Sequence, residues 1–317
     1  MHFFSGRPWR IALLLAVCLA SCSAPPGEPV RAPRLTRLPA TSTTIEQVAA
    51  FESAGPGGEQ AAATLAEPDE SQQHVTPQRL ARGYTIVAVG VNGDNILSAG
   101  LAAGLIDGGY RGAVEVFDWT TGFWPLFVYH LRAEGRHRAA ARAIAEKVAV
   151  YQARYPGREV NLMGYSAGAV VAVEAIEALP EGSQVDRLVL LAGAISPLHD
   201  MRVTLRRTRV GVLSYYQPQD VVALGAGTLV AGTADGHHLV SAGAAMFWPP
   251  PGASEEDRRL YRDKLCQWPY DVRMARSGNL GGHFQCVGRK FVAEWIAPAL
   301  GDARGFEIAR GGPNRLR

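Results

Sequence analysis

The sequence has few cysteines, little net charge and only a short apolar segment at its N terminus. Its 317 residues include 4 cysteines, with no H-E-x-x-H pattern and no paired C-x-x-C spacing, so we expect neither a zinc site nor another metal site. The formal net charge of +3 gives no reason to expect a nucleic-acid partner. No motif implies a cofactor.

The N terminus predicts export. Arg7 and Arg10 precede the apolar run Ile11–Leu19, which is shorter than the roughly 20 residues that a membrane-spanning helix needs and is typical of a secretory signal. The segment ends L-A-S-C, which resembles the lipobox of bacterial lipoproteins. That resemblance implies a signal peptide over 1–21, acylation of Cys22 (palmitate, for example), and a lipid-anchored protein of the bacterial cell envelope facing the periplasm or the exterior. An ordinary signal peptide with an accidental cysteine is the alternative.

Composition divides the remaining chain into three parts. Residues 22–78 are rich in Pro, Ala, Gly, Thr and Glu, which is typical of a flexible tether. Residues 79–302 are long enough for a single core of the α/β size class. We interpret 303–317 as a C-terminal tail.

Strand and helix patterns alternate through the folded part. Short β-branched or apolar runs predict strands at 84–89, 113–117, 160–163, 187–192 and 210–215, and helical periodicity predicts helices at 95–106 and 134–155. This alternation favours an α/β fold with a mostly parallel central sheet covered by helices on both faces. Sites in such sheets form at the carboxyl ends of strands, which is where Asn92, Asp118, Ser166 and Asp220 fall.

The most informative stretch is Gly164-Tyr165-Ser166-Ala167-Gly168, placed between a strand and a small-residue helix. A serine in such a turn points its hydroxyl into a cleft, and glycines two positions to either side avoid collisions with the neighbouring strand and helix. A structural glycine turn without chemistry is the alternative.

A serine hydroxyl needs a histidine to take its proton and a carboxylate to orient that histidine. Asp220 follows the strand at 210–215, and His283 lies in a Gly-flanked stretch near the C-terminal end. Strand, G-x-S-x-G, helix, later acid and late histidine together resemble the α/β-hydrolase fold family over about 80–302. The resemblance implies Ser166 as nucleophile, Asp220 as acid and His283 as base.

Each partner of the serine has competitors. Asp235 and Asp271 are the other candidate acids, and Asp220 could instead cap a helix. His237 and His238 are the other candidate bases, and His283 could be an ordinary loop histidine.

The resemblance also implies two oxyanion donors. One is the backbone N–H of Ala167, at the start of the helix. The second would come from the loop after the first strand, where this chain has Gly90-Val91-Asn92-Gly93 instead of the His-Gly common in relatives. We expect Val91 or Asn92 to supply it, and a glycine turn without catalytic function is the alternative.

Two cysteines remain besides Cys18 and Cys22. In an oxidising compartment, Cys266 and Cys286 are expected to form a disulfide closing a loop that contains His283. Two separate buried thiols are the alternative.

Two further segments bear on substrate access. The aromatic stretch 117–129 would either line an acyl pocket or pack into the core. The Gly- and Ala-rich region 223–253 could form a cap.

The sequence as a whole favours an exported serine hydrolase that cleaves carboxylic esters, esterase- or lipase-like, through an acyl-enzyme. Its partners would be a small-molecule or lipid ester and the membrane that holds the anchor. The alternatives are an acyltransferase or thioesterase on the same triad, and a non-catalytic envelope lipoprotein that uses the scaffold for binding.

Overall fold

The computed structural model describes residues 73–123, 126–218, 233–235 and 241–301. Within these ranges, six parallel strands form one sheet in the order β2-β1-β3-β4-β5-β6. The strands are β1 Tyr84–Ala88, β2 Ala113–Phe117, β3 Val160–Tyr165, β4 Val185–Leu191, β5 Thr208–Tyr216 and β6 Leu265–Pro269.

Helices connect the strands and complete the C-terminal part. They are α1 Pro77–Leu80, α2 Ile96–Asp107, α3 Phe127–Arg132, α4 Glu134–Arg154, α5 Gly168–Glu177, α6 Arg202–Arg206, α7 Glu255–Lys264, α8 Arg289–Phe291 and α9 Ala297–Gly301, with 3₁₀ turns at Val272–Ser277 and Gln285–Val287 and a π-helical turn at Val292–Ile296. Across the described ranges, none of these helices has the length and apolarity that a membrane crossing requires.

The order of the strands determines which face each helix covers. The chain moves from β1 outward to β2, then returns past β1 to β3 and continues in the opposite direction. Since crossovers between parallel strands are right-handed, this reversal places α2 on one face and α4 to α7 on the other. The predicted α/β architecture with helices on both faces is therefore confirmed. The reversal lies between β1 and β3, the position where ligands bind in open α/β sheets.

The central strands are buried along their whole length, as strands covered on both faces must be. Every residue of β1, β3 and β4 is buried. The predicted strand at 113–117 has the same bounds in the structure, and the predicted helix at 95–106 is observed one residue later, with Asn95 as its N-cap. The core already includes Val75, which is 7% exposed.

The cysteine pair differs from the prediction. Both residues lie in the described part of the chain, and no disulfide joins them. Cys266 is fixed by its place on β6 opposite Leu213, whereas the Cys286 thiol turns toward its own loop and donates to the carbonyl of His283 at 3.1 Å. The loop that carries His283 is thus held by a hydrogen bond where a disulfide was expected.

Several predicted features lie outside the described residues. They are the signal peptide, Cys22, nearly all of the tether, the C-terminal tail, Asp220, His237 and His238.

Candidate active site

Ser166 occupies a strained turn between β3 and α5. Its φ of +54° lies in the left-handed region that residues other than glycine rarely adopt. Hydrogen bonds on both sides hold the turn: the Ser166 N–H donates to Leu191 O at 3.0 Å, and the Ala194 N–H donates to Ser166 O at 2.9 Å. The neighbouring strand β4 therefore fixes the position of the hydroxyl.

The two flanking glycines are required by close approach. A Cβ at Gly164 would lie 2.6 Å from the Cα of Ala169. A Cβ at Gly168 would overlap the backbone carbonyls of Ala88 and Val89 at the end of β1. The turn can pack between β1 and α5 only because both positions lack a side chain.

Ser166 and His283 are in direct contact. The His283 Nε2 lies 3.1 Å from Ser166 Oγ, which is the distance a base needs to take the hydroxyl proton. Ser166 is only 7% exposed, so water has limited access to the pair. The structure thus brings together two side chains that lie 117 residues apart in the sequence.

The loop that carries His283 is held by Tyr165 and Cys286. The Tyr165 hydroxyl donates to the His283 carbonyl at 3.3 Å, and the Cys286 thiol donates to the same oxygen at 3.1 Å. The Tyr165 ring also packs on the imidazole, with ring centroids 5.2 Å apart. Both contacts constrain the imidazole next to the serine.

Two of the three candidate acids are committed to other partners. Asp271 caps a 3₁₀ turn and pairs with Arg273, whose hydrogen bond lowers the pKa of Asp271 to about 2. The Asp235 carboxylate accepts the Ser196 N–H at 2.9 Å and lies 3.5 Å from His199 Nδ1. Asp220, the predicted acid, lies outside the described residues.

The predicted oxyanion donors lie around the serine. Ala167 begins the first turn of α5, where backbone N–H groups have no acceptor within the helix. Val91 and Asn92 line the same cavity as Ser166. Their loop is closed by a Gly93 N–H···O Gly90 hydrogen bond of 3.1 Å, and Gly93 has a φ of +72°.

A cavity of about 250 Å³ opens beside the serine. Its walls come from the ends of β1 and β3, from α2 and α3, and from the His283 loop. Most of its lining side chains are apolar: Val87, Val89, Val91, Leu97, Leu101, Phe127, Leu131, Phe284 and Val287. Among the described residues, no Lys, Arg, Asp or Glu lines the cavity.

The aromatic stretch at 117–129 serves both predicted purposes. Trp119 is completely buried, and its indole N–H donates to Val89 O at 2.6 Å. Phe127 lines the cavity and remains 44% exposed. One end of the stretch therefore packs into the core and the other forms the cavity mouth.

A second polar cluster surrounds His199. Burial alone would lower the pKa of His199, but hydrogen bonds to Asp235 and Glu177 raise it to about 9. The cation joins α5, the segment after β4 and residues 233–235. Within the described ranges, no three His, Cys, Asp or Glu side chains are arranged to hold a metal ion.

Tyr165 and His130 were not identified from the sequence. Tyr165 occupies the variable position before the serine, and a pattern that accepts any residue there gives no signal. His130 binds a loop 39 residues away, and no local spacing indicates such a contact.

The fold and the site define an α/β protein with a serine–histidine pair in an apolar cavity at the carboxyl edge of a parallel sheet. No known family profile matches the chain, and no curated protein matches it in sequence.

Several solved structures resemble parts of the chain. Aspergillus fumigatus lipase B is 11% identical, with a TM-score of 0.43, over 75% of this chain and 59% of its own. A lipase-esterase related protein from Clostridium acetobutylicum is 14% identical, with a TM-score of 0.34, over 68% of this chain and 93% of its own. The NocB thioesterase domain, solved in covalent complex with a fluorophosphonate nocardicin G analog, is 20% identical, with a TM-score of 0.34, over 74% of this chain and 98% of its own. The chain thus spans 59% of the length of lipase B.

Proposed function

We propose that this protein is a serine hydrolase of the α/β-hydrolase type that cleaves carboxylic esters through an acyl-enzyme. The observation that carries the proposal is the 3.1 Å contact between Ser166 Oγ and His283 Nε2 at a strained strand-to-helix turn. A buried turn with a φ of +54° is costly, and such strain persists mainly where a function requires it.

The reaction begins when His283 Nε2 takes the proton of Ser166 while Oγ attacks the ester carbonyl carbon. The oxyanion that forms accepts hydrogen bonds from the Ala167 N–H and from the loop that contains Val91 and Asn92. Collapse of this intermediate breaks the ester C–O bond, and His283 returns the proton to the departing alkoxide. Water then repeats the sequence on the acyl-enzyme and releases the carboxylic acid and the free serine.

Asp220 is the proposed third member of the triad. A carboxylate on His283 Nδ1 would hold the ring in the tautomer that leaves Nε2 able to accept the serine proton, and would stabilise the imidazolium. Asp235 and Asp271 already bind His199 and Arg273, respectively, which favours Asp220 over both.

The chemistry of the cavity favours a substrate that places an uncharged acyl group in it. Its apolar walls offer no side-chain cation for a phosphate or a free carboxylate, within the described residues, and burial of an unpaired charge there would be costly.

The remaining parts of the proposal concern location. The L-A-S-C segment supports export and acylation of Cys22. The substrate would then be met at the cell envelope, by an enzyme tethered to a membrane through residues 22–78.

Hydrolysis of p-nitrophenyl esters by the soluble chain that starts after Cys22 tests the proposal. Ser166→Ala and His283→Ala should each lower kcat by orders of magnitude, because nucleophile and base act as a unit. Ser183→Ala, in a turn at the opposite edge of the sheet, is the matched control and should keep full activity. Among Asp220→Asn, Asp235→Asn and Asp271→Asn, only the first should cause a comparable loss.

The same experiment separates the alternatives. A wild-type protein that neither hydrolyses these esters nor reacts with a fluorophosphonate would contradict the enzyme proposal and favour a non-catalytic envelope lipoprotein. Reaction with the fluorophosphonate together with acyl transfer to an added alcohol or thiol, faster than hydrolysis, would identify an acyltransferase.

A further inference from the structure

His130 is a buried histidine that contacts the loop expected to bind the oxyanion. The side chain of His130 is completely buried, and its Nδ1 lies 2.9 Å from the carbonyl oxygen of Val91. On the other side of the ring, Nε2 lies 3.2 Å from the Thr121 backbone N and 2.9 Å from Thr121 Oγ1. The imidazole therefore bridges the loop after β1 and the loop after β2.

The partners of His130 determine where its proton lies. The Thr121 backbone N–H can only donate, so Nε2 must be the acceptor. The proton of the neutral ring is then on Nδ1, from which it donates to the Val91 carbonyl. Protonation of Nε2 would set its proton against that of the Thr121 N–H, so this arrangement favours the neutral ring.

The surroundings of His130 favour that neutral state. Burial lowers the pKa of His130, the hydrogen bond to Val91 raises it, Arg136 lowers it further and Asp118 raises it, with a net decrease. The rings of Trp119 and Tyr129 pack edge-on against the imidazole.

The contact with Val91 constrains the backbone groups that face the substrate. The Val91 C=O and the Asn92 N–H belong to one planar trans peptide unit, so they point in opposite directions. The Val91 N–H lies one residue back, in a peptide unit whose carbonyl, Gly90 O, accepts from Gly93. A donor on Val91 O therefore fixes the orientation of the Asn92 N–H, whereas the Gly93 N–H on Gly90 O fixes that of the Val91 N–H.

Two further side chains, just after β2, support the same loop. The Trp119 indole donates to Val89 O, and the Asp118 carboxylate accepts the Asp94 N–H at 2.9 Å. Among these contacts, the His130 contact is the one made to the middle of the loop, beside the residues that line the cavity.

We infer that His130 is a positioning residue of the esterase site: its Nδ1–H holds the Val91 carbonyl so that the adjoining backbone N–H stays aimed at the developing oxyanion. This inference rests on the proposed function. The side chain itself would touch neither substrate nor reacting atoms, because it lies outside the cavity lining.

Three substitutions at His130 test the inference. His130→Ala removes the donor and should lower kcat by about 10- to 100-fold with KM little changed, because a misplaced oxyanion donor is felt in the transition state rather than in ground-state binding. His130→Asn places an amide N–H₂ close to the position of Nδ1 and should recover most of kcat. His130→Gln places its amide near Nε2, so it can meet Thr121 but not Val91, and should behave like the alanine variant.

Activity is expressed per serine titrated with a fluorophosphonate, so that unfolded protein is not counted. Tyr151→Phe is the matched control: it removes another buried side-chain hydrogen bond to a backbone carbonyl, that of Leu80 at 2.6 Å, away from the cavity. Its kcat per titrated site should equal that of the wild type.

The outcomes separate the inference from the proposed function. An active wild type with equal kcat in the asparagine and glutamine variants would overturn the inference and leave the hydrolase proposal in place, and this comparison holds even if the alanine variant does not fold. A wild type that is neither titrated nor active would overturn the hydrolase proposal itself.

Discussion

At Ser166, local backbone strain and tight packing combine to position one hydroxyl at the cavity. The turn is held in the left-handed region by hydrogen bonds to Leu191 and Ala194. Gly164 and Gly168 let α5 and β1 approach the turn more closely than any side chain would permit. The Ser166 side chain is thus positioned by the absence of neighbouring atoms as much as by contacts.

Gly168→Ala tests this account of the turn. The added Cβ would overlap two backbone carbonyls that cannot move without shifting β1, so we expect a destabilisation of about 3 kcal/mol and a large loss of esterase activity. Urea unfolding and p-nitrophenyl ester hydrolysis measure the two effects.

Gly135→Ala is the control for that substitution. Gly135 lies in helix α4 with open space around its Cβ position, so alanine should stabilise the protein by about 1 kcal/mol and leave activity unchanged. Equal behaviour of the two variants would contradict the packing argument.

Leu101 lines the cavity from α2, and comparison with Leu105 on the same helix tests whether this wall determines the acyl-chain preference. Both are buried on α2, but only Leu101 lines the cavity. Leu101→Ala should shift the preferred p-nitrophenyl ester toward longer acyl chains, because the new space adjoins the cavity. Each alanine variant should cost about 2 to 5 kcal/mol of stability.

The ratio of kcat/KM for long and short esters measures this shift. Leu105→Ala should keep the wild-type ratio despite a similar loss of stability. A shift of the same size in both variants would mean that general loosening, rather than cavity depth, sets the chain-length profile.

The residues of the site differ in how far the sequence revealed them. Ser166 was recognisable because its turn requires glycines at fixed spacing, and His283 because it is a Gly-flanked histidine that comes late in the chain, after the candidate serine and acid. The contacts of His283 with Tyr165 and Cys286 depend on how separate loops pack, so the sequence indicated a disulfide where the structure has a thiol hydrogen bond.

At the scale of elements, polar side chains join the segment after β4 to the elements that surround it. His199 illustrates this, since it joins Glu177 at the end of α5 to Asp235 in a segment distant in the sequence. Asp235 in turn accepts the Ser196 N–H in the segment after β4. The network fixes the position of Ala194, two residues earlier, which borders the cavity and binds the Ser166 carbonyl.

The stability that this network contributes should decrease at alkaline pH. Because the pKa of folded His199 is raised to about 9 from 6.5, its contribution is fully present below about pH 6.5 and is lost as pH rises through 9. The free energy of unfolding should therefore fall over that window by at most about 1.4 kcal/mol per pH unit. Urea unfolding at pH 6 to 9.5 measures it.

His199→Gln should remove this decrease, since glutamine does not titrate. His74→Gln is the matched control. Burial lowers the pKa of His74, so this histidine titrates below the alkaline window, and its replacement should leave the decrease in place. A wild-type slope that survives in the His199 variant would refute the assignment.

The elements themselves were predicted where the pattern was strong. β2 followed from a short run of β-branched and apolar residues, and α2 from a helical pattern that Gly108-Gly109 ends. α7 and β6 have no clear sequence signal, because α7 is strongly polar and β6, Leu-Cys-Gln-Trp-Pro, neither alternates nor consists of β-branched residues. β6 is a strand because β5 offers it an edge to pair with.

At the scale of the whole molecule, the site is formed at the carboxyl edge of the sheet. None of the described residues at the opposite edge contributes to it. The direction of the chain reverses between β1 and β3, so the loops that follow these two strands meet across one crevice. One loop carries Ser166, the proposed nucleophile, and the other carries the proposed oxyanion donor. The cavity between them is the consequence of topology, and its apolar lining is the consequence of sequence.

The N-terminal segment adds a prediction for the intact protein. If the L-A-S-C segment is processed as in lipoproteins, Cys22 gains acyl chains, and one or more chains would place the enzyme at a membrane. Expression of the full chain in a bacterial host with an alkyne-labelled palmitate, followed by detection on a gel, should reveal label on the protein.

Cys22→Ala should abolish the label and release the protein from the membrane fraction. Cys18→Ala, four residues earlier in the same segment, should remain labelled, because its side chain is removed with the signal peptide. Equal labelling of all three proteins would place the acyl group elsewhere, and no label on any of them would contradict acylation of Cys22.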